Sequence, residues 1–237
     1  MQPDEYARMR AAENHHWWYI GLRALLQDHL RRFPSEGPLL DAGCGTGGTL
    51  HALGRGESAF GIDQSPLALS ACRERALPNI ARADVTALPF GDAAFGAVIS
   101  MDVLYHRQVD PASATAEYRR VLRPGGRVYI NVPAYEWLRS PHDTVIQTGR
   151  RFTRRQVRGM LLDAGLEIEL LTHWNALLLL AIASARLLGS GQGSDLERPT
   201  PAWVNGMLGQ VLALERAVMR MTPLPCGVSI FAVAVKR

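Results

Sequence analysis

The residues best suited to chemistry lie early in the chain. Asp41 closes the apolar run Leu39-Leu40 and is followed by Ala42-Gly43-Cys44-Gly45-Thr46-Gly47-Gly48-Thr49. Glycines in such a stretch let the backbone bend sharply and let a ligand approach without meeting a Cβ. Gly43, Gly45 and Gly48 fit the GxGxxG spacing of nucleoside-binding turns, a weak signal when it stands alone. Asp63 ends a second short run, Ala59-Phe60-Gly61-Ile62. It lies about 20 residues after Gly43, where a carboxylate for ribose hydroxyls is expected. Loop and acid together point to a nucleoside cofactor.

Asp41 narrows the choice. A dinucleotide sets an anionic pyrophosphate over such a turn, and a carboxylate at the strand tip would repel it. S-adenosylmethionine has no phosphate and carries an ammonium and a cationic sulfonium, which suit an acid there. The chain resembles the class I S-adenosylmethionine-dependent methyltransferases, in particular their small-molecule branch. The matching segments are Leu40-Asp41-Ala42-Gly43-Cys44-Gly45-Thr46-Gly47, Gly61-Ile62-Asp63-Gln64-Ser65-Pro66, Ala83-Asp84-Val85, Leu88-Pro89-Phe90 and Val121-Leu122-Arg123-Pro124-Gly125-Gly126-Arg127. They follow the family's order across roughly residues 38 to 132. An N-terminal His15-His16-Trp17-Trp18-Tyr19 stretch also resembles that of a set of bacterial methyltransferases.

The resemblance implies an α/β fold: a doubly wound, mostly parallel Rossmann-like seven-stranded sheet with an antiparallel C-terminal strand pair and a helical lid. It implies S-adenosyl-L-methionine as cofactor. Asp41, Gly43, Cys44, Gly45 and Gly47 would hold its methionine end, Asp63 and Gln64 the ribose, and Asp84-Val85 the adenine. Ser100 and Met101 would border the sulfonium. Tyr19 and Arg23, four apart and so on one helical face, would reach the cofactor carboxylate. As a plainer alternative, Asp84 caps a turn.

The elements that must position these residues can be read from pattern. Apolar positions 18, 22, 25, 26 and 30 predict a helix reaching about Arg32. Its Trp17-Trp18 pair either packs that helix on the sheet or caps the cofactor. Ser65 and Pro66 open a helix to about Arg75, and Pro78–Ala83 and Phe95–Ser100 read as short strands. Asp110-Pro111 starts a helix through Leu122, and Pro124-Gly125-Gly126 turns it into the strand Arg127–Val132. Strands alternating with helices require parallel pairing by right-handed crossovers. Asp41, Asp63, Asp84 and Ser100-Met101 then fall at carboxyl ends of strands, where such sheets bind ligands. Thr153 caps a helix ending at Gly165, Leu166–Leu170 alternates as a strand, and Gly227–Val235 is a longer one.

The expected division is residues 1–37 as an N-terminal helical cap, 38–172 as the cofactor-binding core, 173–226 as a helical insertion acting as substrate lid, and 227–237 as the last core strand. The insertion holds the leucine run from Trp174 to Ala183, the polar linker Gly189–Asp195 and a helical pattern from Trp203 to Arg220. The apolar core of the run is about 12 residues, short of the roughly 20 that span a bilayer. No integral span is expected; a buried lid helix and peripheral membrane contact both remain open.

At 237 residues and 47% apolar the chain has ample material for a core, and a net charge of +4 demands no acidic partner. The N-terminus is polar and charged, which predicts a cytoplasmic enzyme. Cys44, Cys72 and Cys226 are scattered, and the histidines form no compact cluster, so neither a disulfide framework nor a metal site is expected. Five arginines between Arg150 and Arg158 read as a solvated face. The place after the fourth strand, Ser100-Met101-Asp102-Val103, lacks the Asp/Asn-Pro-Pro-aromatic element used to methylate base amino groups, so no nucleic-acid partner is expected. The expected acceptor is a largely apolar small molecule, methylated on O or N and lined by Tyr135, Trp137, Phe152, Trp174, Leu178 and Trp203. His142 and His106 are the candidate bases. A lipid, quinone or polyprenyl acceptor, an NAD(P)-dependent oxidoreductase and a non-catalytic cofactor-binding protein stand as alternatives, and the oligomeric state is left open.

Overall fold

The computed structural model describes residues 3–180, 183–184 and 200–237. Strands β1 (Leu39–Ala42), β2 (Ala59–Asp63), β3 (Asn79–Arg82), β4 (Phe95–Met101), β5 (Leu122–Pro133), β6 (Glu167–Trp174) and β7 (Ser229–Val235) form one sheet. Its order is β3-β2-β1-β4-β5-β7-β6. The first five pair in parallel, and β7 runs antiparallel between β5 and β6. This is the seven-stranded arrangement the resemblance implied. Because β7 has a strand on each side and helices over both faces, all of it is buried, and it reads as a continuous apolar run.

Period-two alternation divides the core. Leu40, Val98, Ile130 and Ala232 face one way, against Tyr118, Val157 and Leu161 of the helices Pro111–Val121 and Arg154–Asp163. Their neighbours Leu39, Ile99, Tyr129 and Phe231 face the other way, against Leu22, Leu25 and Leu26. Those leucines come from α2 (Trp17–Arg32), which follows α1 (Pro3–Ala12). The helix Ala202–Met219 lies on α2: a Cβ on Gly21 would stand 2.4 Å from Leu212 Cδ1, so the glycine lets that leucine come close without shifting.

Several sequence expectations shift. Pro124-Gly125-Gly126 lies inside β5, as a looped-out stretch between the pairings Phe95–Leu122 and Ala97–Arg127. Strand β6 continues through His173 and Trp174, which pattern had placed in the insertion. The Gly189–Asp195 linker and part of the leucine run fall outside the described residues. Ser65, Asp110 and Thr153 cap their helices as expected, each accepting a backbone N–H in the first turn. Among the described residues no helix is long and apolar enough to cross a membrane.

The order of the sheet reverses between β1 and β4, and a crevice opens there at the carboxyl ends of both strands. Gly43 sits at its floor with φ +97°, and a Cβ there would stand 2.4 Å from Val103 Cγ2. Gly43→Ala should therefore lower stability by about 1–3 kcal/mol. A shift in the denaturant midpoint measures this, and an unchanged midpoint would contradict the packing argument.

Candidate active site

A cavity of about 1000 Å³ occupies this crevice. That volume is at the upper end for small-molecule sites and accommodates a nucleoside cofactor with a second reactant. Its floor comes from the strand ends and the glycine turn, and its roof from α1 and the start of α2. Glu5, Tyr6 and Met9 of α1 and Trp17, Trp18, Tyr19, Leu22 and Arg23 of α2 face it. The far wall includes Asp102, Tyr105, His106, Arg107, Val109, His142, Ile146 and Val228.

The acids at the strand tips differ in state. Asp41 is buried, and burial, with Asp63 beside it, pushes its pKa up to about 8. Burial also raises Asp63, opposed by backbone N–H donors: Ser65 N–H to Oδ1 at 2.8 Å and Gly45 N–H to Oδ2 at 3.0 Å. Those bonds aim the Asp63 carboxylate and fix Gly45, whose φ is +54°. Asp102 stands just past β4 with φ +58°, a conformation that Asp tolerates better than most residues. Burial raises its pKa to about 7, against the hydrogen bond from Asn131 Nδ2 (2.8 Å to Oδ1) and the Arg151 charge. Asn131 in turn accepts from Trp174 Nε1 at 2.7 Å, and the Trp174 ring packs on Trp18 at 4.8 Å between centroids. A buried chain of contacts thus runs from Asp102 to the roof of the cavity.

Glu13, just after α1, reaches into the glycine turn. Thr46 Oγ1 donates to it at 2.8 Å, and Arg75 pairs with it in a buried contact. Its Oε2 would lie 2.1 Å from a Cβ on Gly48, the first residue of the helix after the turn. A carboxylate therefore holds the ground that a dinucleotide's pyrophosphate would need. Beside the turn the cavity offers Asp41 and Asp63 to a ligand, which fits a cationic, phosphate-free nucleoside.

Of the residues expected to hold the cofactor, Tyr19, Arg23, Asp41, Gly43, Cys44, Gly45, Asp63, Gln64, Val85 and Met101 line this cavity. Tyr19 and Arg23 share it as their spacing implied. Burial holds the Tyr19 hydroxyl well above its usual range and depresses Arg23. Three others stand off that lining. Gly47 (φ +78°) turns its missing Cβ toward Leu77 and Cys72, at 2.5 and 2.9 Å, and serves packing. Asp84 lies off the cavity lining, and its Oδ1 accepts from Thr86 N and Oγ1, both at 2.8 Å, in a turn-capping role. Ser100 alternates to the opposite face of the sheet, 3.1 Å from the Tyr118 hydroxyl.

The expected acceptor lining is displaced as a set, since none of its six residues borders the cavity. Phe152 is in the core and Trp174 is buried beneath Trp18. Tyr135 pairs with His173 Nε2 at 3.0 Å and stacks on Trp137, which is exposed. Leu178 packs against the α2 side of the core, and Trp203 is exposed. The reason is geometric: Trp174 ends the edge strand β6 and the other five follow β5 or β6 in the chain, whereas the roof is built by α1 and α2. The arginine cluster is also not uniformly solvated. Arg151 is buried, with Nε and Nη2 each 3.0 Å from the Asp143 carboxylate.

His106 and His142 both reach the cavity. Burial pulls the His106 pKa down to about 4, so it is a weak base at neutral pH. Sequence reasoning placed Met101-Asp102 beside the sulfonium but did not mark Asp102 as a base; its place at a strand end was the available signal. It also missed Glu13 and Tyr6, which sit in a polar arm without a periodic pattern to locate them.

A seven-stranded sheet of this order with a glycine turn and acids at its switch point defines a Rossmann-like methyltransferase fold. Residues 40–130 match the family described as Methyltransferase domain. The chain is 30% identical over 175 residues to the "Putative methyltransferase ECU09_1500" of Encephalitozoon cuniculi, covering 73% of this chain and 71% of that protein. It is also 30% identical over 215 residues to an uncharacterized 37.1 kDa protein in transposon TN4556 of Streptomyces fradiae, covering 82% of this chain but only 60% of that one. A tRNA (carboxymethyluridine(34)-5-O)-methyltransferase of Arabidopsis thaliana is 34% identical over 123 residues, which are 50% of this chain and 28% of that protein. Among solved structures, the putative methyltransferase in complex with the Haloferax volcanii Trm112 methyltransferase activator shares the fold. Its TM-score is 0.63 at 24% identity, covering 97% of this chain and 93% of that one. The chain belongs to the class I S-adenosylmethionine-dependent methyltransferases.

Proposed function

We propose that this protein transfers the methyl group of S-adenosylmethionine to an oxygen or nitrogen of a small-molecule acceptor held in the same cavity. The observation that carries this reading is the placement of Glu13 and Asp41 around the glycine turn, which disfavours a phosphate-bearing nucleotide and favours a cationic one. When bound, S-adenosylmethionine supplies a methyl group already activated by its sulfonium. Gly43 and Gly45 would leave room for the methionine end, with Arg23 and Tyr19 at its carboxylate. Asp63 would take the ribose hydroxyls, and Val85 would pack by the adenine. The acceptor would lie against Tyr105, Val109 and Ile146, shielded from water by Trp17 and Trp18; alignment of this kind contributes several kcal/mol, about 7–11 at most. Asp102, with a pKa near neutrality, is the base best matched to remove the proton that the acceptor loses.

Calorimetry tests the cofactor. Binding of S-adenosylmethionine or S-adenosylhomocysteine without binding of NAD⁺ is the expected result; the reverse preference would overturn the reading. Because a cation favours ionised Asp41, binding below about pH 8 should release a proton. Affinity should then climb by up to tenfold per pH unit and level off above about 8. Titrations in buffers of different ionisation enthalpy read that proton, and Asp41→Asn should abolish the dependence.

The tRNA methyltransferase relative makes a nucleic-acid acceptor the second reading. Turnover with transfer RNA, and none with small hydroxylated or amine acceptors, would select it. The roof formed by α1 and α2 over the cavity favours the smaller acceptor.

A further inference from the structure

The helix Ala202–Met219 turns one face to α2 and the core through Leu212, Glu215 and Met219. Its opposite face is exposed and, apart from Gln210, apolar. Trp203 is 72% exposed, Met207 53%, Leu214 61% and Val218 39%, and Met221 just beyond the helix is 88% exposed. At about 100° per residue these positions fall within about 60° of one another, so they form a single stripe. At a rise of 1.5 Å per residue the stripe is about 27 Å long. The start of the leucine run adjoins the core side of the same helix. Ala176 and Leu177 donate their backbone N–H groups to Glu215 at 2.8 and 3.0 Å, and Leu177 is itself 55% exposed.

Along the flank that faces the end of α2 the charge is one-sided. Arg31, Arg216 and Arg220 surround the single carboxylate of Asp28, at 3.0, 3.3 and 3.4 Å. Three guanidinium charges against one carboxylate leave an excess of two positive charges there, and Arg31 and Arg220 are largely exposed. We propose that this face docks on an anionic lipid bilayer surface, the stripe entering the headgroup–acyl boundary and the arginines meeting lipid phosphates. A tryptophan-tipped apolar stripe beside arginines is the arrangement that lies flat in such an interface. The helix also begins beside the cavity: Thr200 lines it, and Asn205 Oδ1 accepts from the Trp17 N–H at 3.1 Å. Docking does not depend on methyl transfer, but it would bring the cavity to the surface where an amphiphilic acceptor resides.

Co-sedimentation of the full chain with vesicles tests this. Vesicles of phosphatidylcholine with phosphatidylglycerol should carry the protein down, and phosphatidylcholine alone should do so less, with high salt removing the difference. Trp203→Ser combined with Leu214→Ser should weaken partition by roughly tenfold or more, while thermal melting stays unchanged because both side chains are exposed. Arg31→Glu with Arg220→Glu should abolish the preference for the anionic vesicles. Absence of sedimentation with either vesicle would overturn the proposal, as would undiminished binding by the serine variant. So would a stable dimer in sedimentation velocity that the serine variant converts to monomer, since a second copy would then be the occupant.

Discussion

Asp102→Asn should lower kcat by about 10²–10⁴-fold, the usual contribution of a positioned base, while leaving S-adenosylmethionine affinity little changed. Asparagine keeps the shape, tolerates the φ of +58° at this position and can still accept the Asn131 Nδ2–H. What it loses is the capacity to take a proton. The wild-type kcat/KM profile should rise with pH through about 7, the pKa that burial gives Asp102, because only the carboxylate accepts the acceptor's proton. The variant should show no such rise. A variant with wild-type kcat and an unchanged pH profile would remove Asp102 from the chemistry. If His142→Ala instead reproduces both effects, the base is that histidine, which lines the same wall of the cavity.

Arg151→Met should destabilise the fold by about 3–5 kcal/mol, because it leaves Asp143 buried without its counter-charge. The pair is two-pronged, and Arg151 Nη1 also donates to Ala134 O at 3.1 Å, tying the end of β5 to the far wall of the cavity. Burial alone would push Asp143 up, yet the Arg151 hydrogen bond and charge hold it below the usual carboxylate range. The double variant Arg151→Met, Asp143→Leu should recover part of the loss by removing the orphaned charge. Denaturant midpoints at neutral pH measure all three proteins. A single variant within about 0.5 kcal/mol of wild type, the scale of ordinary surface changes, would show the pair to be dispensable. The same substitution should raise the Asp102 pKa further, since the Arg151 charge lowers it, and so move the pH–rate profile upward.

The legible part of this protein was local. Glycines with positive φ, acids closing short apolar runs, and the capping residues Ser65, Asp110 and Thr153 act on neighbours a few positions away, so their pattern survives in one dimension. Once β1, β2 and β4 were recognised, the parallel sheet and its carboxyl-end ligand site followed from chain order and crossover handedness. Asp84 shows where this stops. It ends a strand on schedule, but Thr86, two residues on, engages its Oδ1, and only coordinates reveal whether an acid turns to its own backbone or to a cavity.

By itself the amino-acid sequence determined the fold class, the position of the nucleoside site and the sign of the charge its ligand should carry. Tertiary structure decided what stands over that site. Glu13 reaches the glycine turn across 33 residues of sequence, Arg75 meets it across 62, and Asp102, Asn131 and Trp174 come together from three strands. Burial sets the protonation of Asp41 and Asp102, and burial is a sum over surroundings that no residue's neighbours in the chain encode. For the same reason the aromatic residues expected around the acceptor lie elsewhere, because an apolar side chain gives the same one-dimensional signal in a core, on a surface or in a pocket.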